Sequence, residues 1–409
     1  MARPLEDIRI LDLTWVLAGP YASMVLADLG AEVVKVERPP NGDIARTTGP
    51  YQNGWSGYFF SINRGKRSIA LNLRDPEGKD LFLRLVEKAD VVLENFTPGT
   101  MAKLGLGYDV LSARNPRLIM ASVSGFGQTG PYRDRPALDV VVQAMGGIMS
   151  ITGEPGGGPV RPGASIGDIT AGMFAAIGIL SALHERERSG LGQAIDISML
   201  DCQLALLENA IMRYFVTGTV PERLGTRHPS ATPFQAFPTA DGHIVIALAF
   251  GEENQWALLC AMLGLPELID DERFETGPKR TRNHALLEPA LIEAFRKRTT
   301  AEWYADFLAA GIPCGPVNSI ADVVNDEQVR FRESIKPVTH PVAGTMNISD
   351  TPVRMSRSET GIQGPPPSMG ADTVSVLASW LGLSQADVEA LEARGAAATS
   401  GGPDISRIT

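Results

Sequence analysis

Acidic, hydroxyl and glycine residues converge on one short stretch of this chain, GASIGD at Gly163–Asp168. Asp168 opens the helix-forming run ITAGMFAAIGILSALHERE, so its carboxylate is expected to act as an N-cap for the backbone N–H groups of the first turn. The positive end of a helix lowers a carboxylate's pKa and keeps it ionised, while Gly163 and Gly167 admit a ligand at close range. An ionised, accessible carboxylate becomes a competent nucleophile once its reaction is made nearly intramolecular. The same stretch fits GxSxG, the nucleophile elbow of serine hydrolases, with Ser165 as attacking group and histidines downstream at 184, 228, 243, 284 and 340. An elbow needs an apolar strand leading into it, and GGGPVRPG is a poor strand.

Other motifs point away from nucleotide and metal chemistry. GFGQTG at Gly125–Gly130 satisfies GxGxxG, but Pro131 stands where the helix of a dinucleotide cradle should open. Neither Gly65-Lys66 nor Gly78-Lys79 is followed by Ser or Thr, which excludes a Walker A loop, and HExxH does not occur. Cys202, Cys260 and Cys314 are far apart and odd in number, so no disulfide framework or CxxC zinc site is expected and the chain reads as cytoplasmic and metal-free. Basic residues, in contrast, gather at predicted strand ends: Arg38 after KVE, the run Asn63–Arg67, Arg74 after LNL, and Lys103. Ligands of open α/β sheets collect beyond the carboxyl ends of strands, so Arg38, Arg74 and the Asn95-Phe96 pair are expected around a phosphorylated, adenine-bearing molecule. An arginine fork stacks on a purine or grips phosphate, whereas Lys103 acts as a point charge.

The elements that must position these groups alternate. IRILDL, AEVVKVE, RSIALNL, DVVLENF, RLIMASVSGF and QAIDISM read as strands, with helices such as GPYASMVLADLG and PEGKDLFLRLVEKA between them, which predicts a parallel sheet wrapped by helices. The fold class is α/β, a Rossmann-like large domain with a smaller α+β domain. Residues 1–200 form the first part of the large domain, 201–225 a helix and connector, 226–325 the small domain, 326–395 a return to the large one, and 396–409 a flexible tail. FQAFPTADGHIVIALAF predicts a hairpin turning at Asp241-Gly242. The chain has 409 residues, 44% hydrophobic and 21% charged, ample for a core and a pocket. Its net charge of -10 opposes a nucleic-acid partner on electrostatic grounds, and the longest near-apolar stretch, Ile169–Leu183, is too short and interrupted to predict a membrane span.

Several ordered blocks resemble the class III CoA-transferases of the CaiB/BaiF type, the family of formyl-CoA transferase and carnitine CoA-transferase. They run from about residue 5 to about residue 335 and include LDLTWVLAGPYASMVLADLGAEVVKVERP, INRGKRSIALNLRDPEGK, VVLENFTPGTMAKLGLGYD, GDITAGMFAAIGILSAL and RHPSATPFQAFPTADG. The resemblance implies that Asp168 attacks an acyl-CoA thioester, passes through aspartyl anhydride and aspartyl-CoA intermediates, and hands CoA to a free carboxylic acid. It implies CoA contacts at Val16, Ala18, Arg38, Leu71, Arg74, Asn95, Phe96 and Lys103, and an interlocked homodimer. Leu17 and Leu138 stand where formyl-CoA transferase has glutamine and tyrosine, which argues against formyl or oxalyl specificity. The mobile glycine run of that enzyme is reduced here to Gly251. The related α-methylacyl-CoA racemases use a histidine at the position of Leu138; Asp139 keeps the carboxylate that follows, either to orient the active-site loops or as a helix N-cap. The acid pair is open, with small dicarboxylates favoured and Arg227, His228 or Arg46 as carboxylate holders. An acyl-CoA thioesterase using Ser165 is the alternative of a different class.

Overall fold

The computed structural model describes residues 2–248 and 253–402, and Gly251 lies outside them. The chain forms two compact units: one from Met1–Ile148, Arg161–Val216 and Gln328–Thr409, the other from Met149–Val160 and Thr217–Glu327.

The first unit is built on a seven-stranded sheet. Its strands Arg9–Asp12, Glu32–Glu37, Arg67–Leu71, Val91–Glu94, Ile119–Ser124 and Ala194–Ser198 pair in parallel. Numbered along the chain, these six lie in the order 3-2-1-4-5-6, the doubly wound order with its reversal between the first and fourth strands. Alternate residues feed opposite faces. Ile10, Val33, Val91 and Ile119 pack against the helices Ala18–Asp28 and Ile166–Ser189, whereas Leu11, Val34, Ile69, Val92 and Met120 pack against Pro76–Val86 and Thr373–Leu381. Burial on both faces explains why these strands read as unbroken apolar runs, each large side chain contributing about 1.5–3 kcal/mol. A hairpin of Ile335–His340 and Gly344–Ser349 belongs to the same unit.

The tail expectation needs correction. Ala397–Ala398 pair antiparallel with Leu71 and Ala70, closing the sheet beside its third strand, and Ala396 and Ala397 are buried. Three stretches whose apolar spacing runs on without a break are each divided into two helices, for a local reason. Gly146 and Gly147 separate Asp139–Met145 from Ile148–Ile151, Leu207 ends Met199–Leu206 before Glu208–Thr217, and Gly382, at φ +72°, ends Thr373–Leu381 before Gln385–Ala393. The Ile166–Ser189 helix, 24 residues, is long and apolar enough to cross a membrane, contrary to the sequence expectation. Ala171, Ala175, Ile179 and Ala182 bury one side of it in the core of the first unit, as a core helix of a folded domain does.

The second unit carries the predicted hairpin, Phe234–Pro238 antiparallel to His243–Ala247, with Cys314–Pro316 on its far side. Its core stacks Phe237 on Phe295 and Trp303 on Phe307, and the Trp303 indole N–H donates to the Phe295 carbonyl at 2.8 Å, which satisfies the one polar atom buried among them.

Candidate functional site

A cavity of about 570 Å³ opens beyond the carboxyl ends of the first four parallel strands. Each strand end supplies wall residues: Leu13–Trp15 after the first, Glu37–Asp43 after the second, Leu71–Arg74 after the third, Phe96 and Thr97 after the fourth. Right-handed crossovers place loops and helix N-termini at this edge of a parallel sheet. Arg38 and Arg74 are exposed at the mouth and free to reach a phosphate, Leu71 is buried in the floor, and Phe96 meets Trp15 edge-on at 6.3 Å. Lys103 ends the short helix Thr100–Lys103 and is exposed; Thr100 and Leu104 line the wall, and Lys103 does not. Glu94 beneath accepts the Phe96 N–H at 2.7 Å, and burial pushes its carboxyl up to about 7.

The loop from Thr14 to Leu17 is held from several sides. Asn95 brackets Trp15, accepting its N–H at 3.0 Å and donating to its carbonyl at 2.9 Å. The Asn95 side chain therefore shapes the loop instead of standing ready for a ligand. Asp43 accepts the Val16 N–H at 3.1 Å and forms a fully buried ion pair with Lys35 at 2.9 Å; Lys35 in turn donates to the Thr14 carbonyl at 2.6 Å. Val16 itself sits at φ +65°, a left-handed conformation that a β-branched residue adopts only when its surroundings impose it. Val16 is exposed, whereas Leu17 and Ala18 are buried, and none of the three lines the cavity. A second buried pair, Lys66 with Asp12 at 3.1 Å, anchors the loop's root; burial and then Lys35 oppose the charge on Lys66 and bring its ammonium down to about 8 despite Asp12. Sequence reasoning missed this network because its members are scattered and each reads alone as surface charge. Arg46 belongs to it: its guanidinium pairs with Glu37 at 2.6 Å and lies 3.8 Å over the Phe59 ring, buried, so it is not available to hold an acceptor acid. Burial disfavours the Glu37 charge, yet Arg46, Lys35 and Ser68 together hold its carboxyl at about 2.

Asp168 lies in the first turn of Ile166–Ser189, but Ser165 occupies the N-cap position, so the expectation of a capping aspartate is corrected. Among the described residues its half-buried carboxylate makes no hydrogen bond, and the expected lowering of its pKa is reversed. Burial and the neighbouring Asp139 push it up to about 7 against the opposing pull of Arg161. Desolvation and a like charge therefore outweigh the helix end. Asp139 is not an N-cap either: it is the first residue of Asp139–Met145, and it ties the long helix down. It accepts the Gly167 N–H at 2.9 Å, the Gln143 amide at 2.7 Å and the Arg161 guanidinium at 2.9 Å. A Cβ at Gly167 would stand 2.9 Å from that carboxylate, which accounts for the glycine. One turn after Asp168 on the same helix face, Gly172 lets the Ala18 carbonyl approach to 2.7 Å of where a Cβ would stand. That contact brings the second turn of the long helix, one turn beyond Asp168, against Ala18, where the loop from Thr14 enters its helix.

Two residues that sequence reasoning passed over stand near Asp168. Tyr58 has its phenol pushed up to about 12 by burial, then by Asp168, Asp43 and Asp139, so it remains a hydrogen-bond donor. Arg161 lay inside a glycine- and proline-rich tract that gave no periodic signal. Ser165 accepts from the Arg161 guanidinium at 3.0 Å, which can only donate, and the turn before it is not a strand. Leu138 is exposed. Arg227 and His228 belong to the second unit, where His228 stacks on Phe234 at 4.8 Å and its Nδ1 accepts the Ser230 N–H. After GFGQTG the next helix begins only at Asp139, so no dinucleotide cradle forms there. No cluster of three or more metal-ligating His, Cys, Asp or Glu side chains occurs among the described residues.

Residues 5–373 match the family described as CoA-transferase family III. A succinyl-CoA:glutarate CoA-transferase from Mus musculus is 42% identical over 95% of this chain and 89% of its own length. An acetyl-CoA:oxalate CoA-transferase from Acetobacter aceti is 45% identical over 81% of this chain and 85% of its own. The crystal structure of a CAIB/BAIF family protein from Brucella suis superposes with a TM-score of 0.84 at 39% identity, covering 93% of this chain and 100% of that one.

Proposed function

The chain belongs to CoA-transferase family III and is a CoA-transferase; from that premise we propose that Asp168 is the covalent carrier and that a dicarboxylic acid accepts CoA. The observation that carries the reading is a half-buried carboxylate without a hydrogen-bond partner among the described residues, in the first turn of a helix held against the cavity's loop. A carboxylate that makes no hydrogen bonds forfeits none when it attacks.

In the first step an Asp168 oxygen adds to the thioester carbonyl of the donor, the carbon–sulfur bond breaks, and an aspartyl–acyl anhydride and CoA thiolate result. The thiolate then attacks the Asp168 carbonyl, releasing the donor acid and leaving aspartyl-CoA. The acceptor's carboxylate attacks that thioester to form a second anhydride, and the returning thiolate takes the acceptor acyl group, regenerating Asp168. No net proton transfer is required. Arg38 and Arg74 grip the adenine and phosphate end, and the apolar wall of Leu71 and Phe96 carries the pantetheine, so remote binding energy positions sulfur for every step. The dicarboxylate preference is supported by the relatives named for succinyl-CoA and glutarate.

We further propose a homodimer that covers exposed apolar residues of the first unit. Ile177 on the long helix is 54% exposed, and Phe215 is 73% exposed. A Ser165 thioesterase has no support here, since no imidazole contacts Ser165 among the described residues. A racemase in which Leu138 has replaced the histidine lacks one of two bases.

Hydroxylamine added during turnover with succinyl-CoA is expected to leave a hydroxamate on the peptide holding Asp168, and Asp168→Ala to abolish both adduct and transfer. Activity surviving that substitution, with no turnover-dependent mass change at Asp168, refutes the assignment.

A further inference from the structure

The carboxylate at Asp168 has one cationic neighbour acting on it among the described residues, Arg161. Its guanidinium is fixed on one side and open on the other. Nε and Nη2 donate to the same oxygen of Asp139 at 3.3 and 2.9 Å, and Nη2 also reaches Ser165 Oγ at 3.0 Å. The other Asp139 oxygen holds the Gly167 N–H, so the guanidinium is tethered to the turn that carries Asp168. Its Nη1 has no partner among the described residues, and the side chain is 39% exposed. A guanidinium with two nitrogens spent on orientation and a third left unpaired on a partly exposed side chain has a donor to spare for a further oxygen anion.

Charge balance during turnover gives that open donor a use. With Asp168 ionised, as attack requires, the cluster of Asp168, Asp139 and Arg161 carries two negative charges and one positive. Whenever Asp168 is acylated or thioesterified it loses its charge, leaving Asp139 and Arg161 to offset each other. A monocarboxylic acyl group adds nothing to this neutral cluster. A dicarboxylic one brings its remote carboxylate, an anion that needs a partner in a site from which water must be kept. Within the first unit, Arg46, also considered for this purpose, is spent on Glu37.

We infer that Arg161 selects for dicarboxylic substrates by donating from Nη1 to the remote carboxylate of the acyl group while Asp168 is covalently occupied. The inference rests on Asp168 being the nucleophile and assigns a specificity residue to that same site. It also gives Asp139 a second task, that of orienting the guanidinium as well as the helix turn.

The test compares succinyl-CoA with butyryl-CoA, which has the same four-carbon acyl chain without the remote carboxylate. The readout is the second-order rate of hydroxylamine trapping at Asp168, followed by peptide mass, in the full-length protein and in Arg161→Gln and Arg161→Lys. The wild-type protein is expected to favour succinyl-CoA by about 10- to 100-fold, the range of one charge-assisted hydrogen bond. Arg161→Gln is expected to bring that ratio to near 1 and Arg161→Lys to restore part of it. Arg161→Gln also unties Asp139 and so slows both donors; the ratio is therefore the measure, because a purely structural role lowers both rates together and leaves it unchanged. A wild-type ratio near 1, or an unchanged ratio in Arg161→Gln, overturns the inference while adducts at Asp168 still uphold the nucleophile. Absence of adducts from both donors in the wild type refutes the nucleophile and the inference with it.

Discussion

Asp168 is a carboxyl whose surroundings favour its neutral form, and this sets two expected pH effects. Attack requires the ionised form, so kcat/KM should rise with pH through about 7, the value to which burial and Asp139 bring it. Asp139→Asn removes the like charge and releases Arg161, so the rising limb should move to lower pH; an unmoved limb in an initial-rate profile would rule out Asp168 as the titrating group. Stability has the opposite sense. A folded-state pKa above the ordinary 3.8 contributes stability below that value, and the contribution is lost as pH rises toward 7. Asp168→Asn should therefore raise Tm by a few degrees at pH 8 and leave it unchanged at pH 4 in thermal melts. The sequence singled out this residue and misjudged its ionisation, because the helix end is local in sequence while Asp139, 29 positions earlier, and the buried surroundings are not. Arg38, Arg74, Leu71 and Phe96 were legible since each follows a strand whose end could be read from its apolar run.

At the scale of elements, the site depends on how closely two helices approach. Gly172 faces Ala18 and Tyr21, and a Cβ there would stand 2.7 Å from a backbone carbonyl that has no room to yield. Gly172→Leu is expected to push the long helix away from the loop at Ala18, lowering stability by about 1–3 kcal/mol and transferase activity by a much larger factor. A variant that loses stability in urea titration yet transfers CoA at the wild-type rate would show that this contact does not position Asp168. The alternation of strands and helices could be read from periodicity, as could the hairpin of the second unit, whereas the strand order 3-2-1-4-5-6 could not. The splitting of helices at Gly146 and Gly382 could not, because apolar spacing continues through both breaks. The buried pairs Lys35–Asp43 and Lys66–Asp12 were also hidden, since each joins strand and loop residues that only the folded sheet brings together.

For the molecule as a whole, Ile177, Phe215 and Val216 of the first unit are each more than half exposed, and the proposed dimer would cover them. Light scattering at micromolar concentration is expected to give twice the chain's 43.8 kDa. A monomer at that concentration would remove the proposed dimer without touching the chemistry. Ala397–Ala398 bear on the molecule in a different way, through what they keep covered. A chain cut ahead of residue 396 would strip the Asn72 N–H of its acceptor, the Ala396 carbonyl, and uncover the strand edge at Ala70 and Leu71, an invitation to self-association through edge-to-edge pairing. Anyone shortening this protein to obtain crystals, or fusing a reporter to its carboxyl end, should keep those alanines and begin the added sequence after them.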